Sequence, residues 1–313
     1  MILFSDRGTP WGYRHMNGYG SHTYSMINDK NERVWVKFHF KTQQGIKNFT
    51  GPEADEMRGK DPDFAQRDLV ESIEKGDHPK WKLYIQVMTD EQAKSFKWNP
   101  FDLTKVWPHG DYPLIEAGEM ELNQIPDNYF RDVEQSAFAP SNTIDGIGFS
   151  PDKMLQGRIL SYPDAHRYRL GANYEQIPVN RPISPVNNYQ RDGFMRVDDN
   201  GADKPNYYPN RFDDIEADEK YKEIPLNLDS SIADTWDRNE NDDDHFSQPG
   251  ALFRKVMNDE QRKNTVNNFI SSMKKIDSGK RDEIIQTQLE HFHKADKELA
   301  EMVAKGLGVE LKK

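Results

Sequence analysis

Arg158 and Tyr162 stand four residues apart in the run GRILSYPDAHRYR (157–169). If that run is helical, the spacing puts both side chains on one face, with about 5–6 Å between their Cβ atoms. A free phenol, with a pKa of about 10, coordinates metal poorly at neutral pH. A guanidinium within hydrogen-bond reach favours the phenolate. Phenolate is a hard, anionic oxygen ligand that suits ferric iron, and tyrosinate is one of the known axial ligands of haem. Pro163 follows the tyrosine, withdraws a backbone N–H and is expected to bend the helix there. The same spacing also serves an ordinary surface Arg–Tyr stack, which is the commoner case. Spacing alone leaves both readings open.

The elements that would position this pair are readable in outline. Ser150 as N-cap and Pro151 at the first helical position open a helix over DKMLQGRILSY. Strands are expected at 22–29 and 33–42, joined by the polar turn 29–32. The second strand alternates, with Val34, Val36, Phe38 and Phe40 on one face and Trp35, Lys37, His39 and Lys41 on the other. Further strands are expected at 81–89 and 114–124. Between the two strand pairs, Asp61-Pro62 opens a helix that Gly76 closes. About four strands suffice for half a barrel and not for a closed one.

From 127 to 245 prolines and tyrosines recur and periodicity is scarce. A structureless stretch of that length is unusual, and its aromatic content favours an ordered wrapping segment. Residues 248–305 read as helical. Val266, Phe269, Ile270 and Met273 follow the helical spacing, as do Ile285, Leu289, Phe292, Leu299 and Val303 more loosely, and Ser278-Gly279 separates two helices. Residues 239–244 (NENDDD) read as a solvated loop before them. The expected class is α+β in three parts: half a β-barrel (1–126), a wrapping segment with the Arg158–Tyr162 helix (127–245) and a C-terminal helical domain (246–313).

Composition narrows the chemistry. The chain has 313 residues, only 35% of them hydrophobic, with a mean hydropathy of −0.96. That is polar for a domain with a deep core, yet 16 Phe, 13 Tyr and 6 Trp argue against disorder. Order through wrapping and oligomerisation is expected. A net charge of −11 argues against general nucleic-acid binding. With no cysteine, disulfides, iron–sulfur clusters and thiolate-ligated haem are excluded. No apolar run reaches membrane-spanning length and no signal peptide is apparent, so a cytoplasmic location is expected.

The run KMLQGRILSYPDAHRYRLGANYEQIPVNRP (153–182) resembles the haem-ligand signature of the monofunctional haem catalases, small-subunit type. The resemblance continues through FSDRGTPWGYRHMNGYGSHTYS (4–25), FHFKTQQGIKNFT (38–50), LYIQVMT (83–89), NPFDLTKVWPHGDYPLIEAG (99–118) and NYQRDG (188–193), and covers nearly the whole chain. It implies hydrogen peroxide disproportionation to water and oxygen, with haem iron bound by Tyr162 and Arg158 bonded to the phenolate. It further implies a relay through Asp152 and His22, a haem propionate partner in Arg169, and Met154, Ser161, His166 and Phe138 along the ligand-side face of the haem. It implies a homotetramer with hydrogen peroxide as substrate. Many members also bind NADPH, and the matching positions are Ser5, Arg7, Asn17, Tyr19, Lys41, Val106, Trp107 and His109. There is no GxGxxG run, so this would not be a dinucleotide site of that fold.

The chain also departs from the family. Its peroxide-cleaving histidine and asparagine stand in segments resembling RVVHAKG and GNNTP, and neither occurs. None of the nine histidines (His15, His22, His39, His78, His109, His166, His245, His291, His293) has that context. The expectation is therefore a C-terminal portion without the N-terminal arm and the peroxide-side half of the barrel, poorly active or inactive alone. Its alternatives are half of a split catalase, a non-enzymatic haem-binding or structural remnant, and a module that keeps NADPH without haem.

Overall fold

In the computed structural model of the chain, residues 1–184, 186, 188–212 and 244–311 are described. The strands are β1 (Gly18–Tyr19), β2 (Tyr24–Ile27), β3 (Arg33–Thr42), β4 (Lys80–Met88), β5 (Ile115–Glu121) and β6 (Ile147–Gly148). They form one antiparallel sheet in the order β5-β4-β3-β2-β6, with β1 also paired to β3. Three of the four longer strands fall inside the stretches expected of them, and β4 starts one residue before its expected stretch, at Lys80. The two-residue strands β1 and β6 are too short for alternation to reveal.

On β3 the face that looks polar is the one buried. Trp35, Lys37 and His39 lie under the loop that carries Phe101 and Trp107, and Trp35 meets Phe101 edge-on at 4.8 Å between ring centroids. Trp35, Met88, Ala93, Phe101 and Trp107 form the core of this layer. On the opposite face Val36 is buried, but Phe38 and Phe40 are only half-buried. The sheet is thus a curled, antiparallel half-barrel with one face covered and the more apolar face less so.

The helices are α1 (Gly51–Lys60), α2 (Phe64–Glu74), α3 (Asp90–Ser95), α4 (Lys153–Leu170), α5 (Ser247–Ala251), α6 (Asp259–Met273), α7 (Arg281–Ala295) and α8 (Lys297–Leu307). α1 and α3 were not expected, and each begins with a capping box, Thr50 with Glu53 and Thr89 with Gln92. α2 starts later than Asp61-Pro62 suggests, with Asp63 as N-cap, while Gly76 follows its end at φ +79°. α4 also needs a correction. Its N-cap is Asp152, not Ser150, so Pro151 stands outside the helix. The helix runs through Pro163 and ends before Gly171.

The two C-terminal helices expected are interrupted further. Asn258 caps α6 after a π-helical turn (Leu252–Val256), and Asp296 adopts an extended conformation that ends α7 and caps α8 through the backbone N–H of Leu299. Phe253, Phe269, Ile285, Leu289, Leu299 and Val303 are central to a core separate from that of the sheet. Phe4 stacks on Phe269 at 4.6 Å and joins the N-terminal turns to it. Trp11, a loop residue, is half-buried under the Lys47 ammonium at 3.8 Å. Of the expected loop at 239–244 only Asp244 is described; its carboxylate accepts from Ser247 N, Phe246 N and Trp98 Nε1. Part of the wrapping segment, 213–243, likewise lies outside the described residues. Among the described residues no helix is long and apolar enough to cross a membrane.

Candidate functional site

Asp152 is where the site begins. Its Oδ1 accepts from Met154 N (3.0 Å) and Leu155 N (3.1 Å), capping α4 and fixing the helix in rotation. Its Oδ2 lies 2.7 Å from His22 Nδ1, and both residues are buried. His22 is held just before β2, where Thr23 donates to Pro100 O (2.7 Å) and accepts the Ser150 hydroxyl on its carbonyl. On the other side of the imidazole, Arg158 Nη1 approaches His22 Nε2 at 2.7 Å. Arg158 Nη2 donates to the Tyr162 hydroxyl at 2.7 Å. Guanidinium nitrogens only donate, so Nε2 must accept. The proton of a neutral His22 is then on Nδ1 and is donated to Asp152. The tautomer follows from the geometry.

The chain Asp152–His22–Arg158–Tyr162 ends at a phenol oxygen that accepts from a fixed guanidinium. It opens into a cavity of about 610 Å³. Tyr24, Leu103, Phe138, Pro140 and Met154 line that cavity beside Tyr162. Burial raises the pKa of the Tyr24 phenol, so this wall is neutral. Phe138 and Met154 are 84% and 57% exposed. Large apolar side chains open beside an oriented phenol oxygen suit a flat, largely apolar ligand with one group for that oxygen to meet.

His166 Nε2 donates to Phe138 O (2.8 Å) and its ring lies 6.1 Å from that of Tyr162, so it positions Phe138. Arg169 donates to Glu134 O (2.6 Å) and Ser136 O (2.7 Å), closing that segment onto α4. The Ser161 hydroxyl turns back to Arg158 O at 3.4 Å.

Of the eight positions matched to a nucleotide, Asn17, Tyr19 and Lys41 come together. Asn17 Nδ2 and Lys41 Nζ donate to the Tyr19 hydroxyl at 3.0 and 3.1 Å. Burial alone would raise this phenol, but those two bonds and the charges of Lys41 and Arg7 bring it below its usual pKa. His109 meets His39 edge-on at 5.8 Å, and His39 meets Tyr19 at 5.7 Å. Val106 is exposed and its backbone is held from both sides by Gln248. Two positions do not join them. The Ser5 hydroxyl is buried and donates to Ile2 O, and Trp107, 1% exposed, presents no ring to a ligand.

Residue spacing missed the buried polar group behind the site. His39 Nε2 bonds Gln86 Oε1 (2.9 Å), and Gln86 Nε2 donates to Trp107 O (3.0 Å) and Tyr112 O (2.6 Å). The signal was there: Lys37 and His39 alternate with apolar residues on a strand too regular to be an exposed edge.

Comparison with known proteins agrees with this geometry. Residues 1–214 match the family model described as catalase, and residues 239–307 match one described as catalase-related immune-responsive. The chain is 54% identical over 311 residues to a catalase of an Onchocerca volvulus endobacterium, covering 99% of this chain and 63% of that protein. It is 53% identical to catalase A of Pseudomonas putida, with the same coverage. The solved structure of a bacterial catalase superposes with a TM-score of 0.85 at 39% identity, covering 98% of this chain and 62% of that one. Catalase A of Saccharomyces cerevisiae gives 0.82 at 40% identity, covering 98% and 63%. The chain therefore spans about 63% of the length of these curated relatives. With the match extending over both the sheet and the helix that carries Arg158 and Tyr162, this chain belongs to the catalase family.

Proposed function

We propose that the chain binds haem through Tyr162 and forms the iron-ligand side of a catalase that converts hydrogen peroxide to water and oxygen. The observation that carries this is the 2.7 Å bond from Arg158 Nη2 to the Tyr162 hydroxyl, backed by a buried His22–Asp152 pair. Haem, when bound, supplies the iron that exchanges electrons with peroxide. Tyr162 would hold that iron, and Arg158 donates to its phenol oxygen and orients it. His22 and Asp152 hold Arg158 in place. Phe138 and Met154 provide apolar walls, and Arg169 has further N–H groups for a propionate.

Peroxide cleavage also needs an acid–base group. Among the described residues the cavity is lined by one histidine, His22, and both its ring nitrogens are engaged. That favours a division in which residues outside this set handle the peroxide proton, and it equally supports a second reading, haem binding without turnover. The three-part division at 126 and 245 goes with this proposal, supported by the separate cores of sheet and helices. A homotetramer and a cytoplasmic setting go with it too. Exposed Ile183, Phe194, Met195 and Phe212 support subunit contact. NADPH binding is the finer reading of Asn17, Tyr19 and Lys41, supported by the cation-rich surroundings of Tyr19.

The test is haem reconstitution of the 313-residue chain, with the absorption spectrum and oxygen evolution recorded. A high-spin ferric spectrum lost in Tyr162→Phe is expected. Haem binding unchanged in that variant would reject Tyr162 as ligand, and oxygen evolution decides between the two readings.

A further inference from the structure

Strands β2 and β6 pair only briefly: Met26 faces Ile147 and Ser25 faces Gly148. Pro151, just beyond, has no N–H with which to continue a ladder. Side-chain hydroxyls take over there. Ser25 Oγ donates to Phe149 O at 3.0 Å, and Ser150 Oγ donates to Thr23 O. The next contact in this succession is His22 Nδ1 with Asp152 Oδ2 at 2.7 Å. Two segments running in opposite directions are thus closed by successive links, and the last link is the first bond of the relay.

Ser150 differs from Ser25 in what else it holds. Its hydroxyl also accepts from Asp152 N at 3.3 Å, and its carbonyl accepts from Gln156 Nε2 at 2.9 Å. Ser150 is fully buried, and Thr23 and Asp152 are each 1% exposed. Thr23 is itself anchored, its hydroxyl donating to Pro100 O at 2.7 Å. The Ser150 hydroxyl therefore ties the main chain beside His22 to the main chain of Asp152, while the two side chains meet alongside. Attachment at two points fixes direction as well as distance. The His22–Asp152 contact alone would let the imidazole swing about it. Direction matters, because Nε2 on the far side of the ring is what Arg158 Nη1 meets at 2.7 Å, and Nη2 of the same guanidinium meets the Tyr162 hydroxyl at 2.7 Å. The guanidinium is a rigid planar fork, so turning it to follow a displaced His22 turns it away from the phenol.

We propose that Ser150 is a positioning residue of the relay: its hydroxyl locks Thr23 to Asp152, so that His22 presents Nε2 to Arg158 and Arg158 is aimed at Tyr162. The hydroxyl bonds Thr23 and Asp152 and acts on Tyr162 only through the relay. Ser25, with the same chemistry one step farther from the relay, is a packing residue. The consequence for iron rests on the haem reading, but the aim of Arg158 does not.

The experiment is proton–nitrogen NMR of the 15N-labelled full chain at pH 7 without added haem, with signals assigned through His22→Gln and Arg158→Lys. It records the exchange of the His22 Nδ1 proton with water and the separation of the Arg158 Nη signals. In the parent that proton exchanges slowly and the Nη signals are distinct, because His22 and Tyr162 hold the guanidinium from two sides. In Ser150→Ala exchange rises roughly tenfold, the order that losing one buried hydrogen bond gives to a local opening, and the Nη signals merge. Ser25, 2% exposed, is the control: Ser25→Ala removes a bond between the same two segments and keeps the parent signals. Ser150→Thr retains a hydroxyl and keeps them too. A folded Ser150→Ala with parent signals overturns the proposal. So does an equal change in Ser25→Ala, because both serines are then packing residues. If Ser150→Ala does not fold, Ser150→Cys, which keeps a weaker donor of similar shape, takes its place: faster exchange supports the proposal and parent signals overturn it. Haem uptake is measured separately on the same proteins. A parent that takes up no haem removes the functional reading and leaves the NMR result standing.

Discussion

Replacing Asp152 by asparagine and by alanine separates the two tasks of its carboxylate. One oxygen caps α4 through Met154 N and Leu155 N, and the other receives the proton of His22 Nδ1. Asparagine keeps a carbonyl oxygen for the cap but turns an NH2 group toward His22. Two donors then face each other, or His22 shifts its proton to Nε2 and collides with the N–H of Arg158. Either way one buried, charge-assisted hydrogen bond is lost, which costs about 1.5–3 kcal/mol. Alanine loses that bond and the cap as well, which adds about 1 kcal/mol. The expected order is parent, then Asp152→Asn, then Asp152→Ala, with the second step smaller than the first. Equilibrium urea unfolding at pH 7, followed by far-UV circular dichroism, measures both steps. An Asp152→Asn variant within about 0.5 kcal/mol of the parent, below the range of a charged hydrogen bond, would refute the reasoning.

Two further outcomes test the surrounding fold. Gly250 is buried where α5 meets the end of α7, and an added Cβ would collide with the Ala295 carbonyl oxygen, so Gly250→Ala is expected to lower stability by about 1–3 kcal/mol in thermal or urea unfolding. Burial draws the His39 imidazole down from 6.5 to about 4. The unfolded chain therefore binds a proton that the folded chain refuses between those values, so the stability tied to a neutral His39 is complete above about pH 6.5 and lost as pH falls toward 4. In His39→Gln that part of the acid decline is absent, and stability measured at pH 7, 6, 5 and 4 shows whether the two curves diverge.

The helix that carries Arg158 and Tyr162 was legible because its signals are local: a cap-type residue and a proline just ahead of it, and the i, i+4 pair within it. Its first residue was not, because Ser150 and Asp152 are both good N-caps two positions apart. What decides between them is His22, which lies 130 residues away in sequence and takes the second oxygen of Asp152. No spacing rule reaches that far, and only the family register brought His22 and Asp152 together. β3 shows the same limit. Alternation identifies the strand, but polarity assigns Lys37 and His39 to the outside. Their burial is set by acceptors elsewhere, Lys105 O and Gln86 Oε1, contributed by a loop and by β4. α1 and α3 were missed for the opposite reason. They have no apolar stripe to read, and only the capping boxes at Thr50 and Thr89 announce them. The phenol and its guanidinium can thus be found within one helical turn, but the group that orients that guanidinium from outside the helix, His22, comes from the segment just before β2. A substitution at His22 is therefore as able to disturb Tyr162 as one on α4 itself.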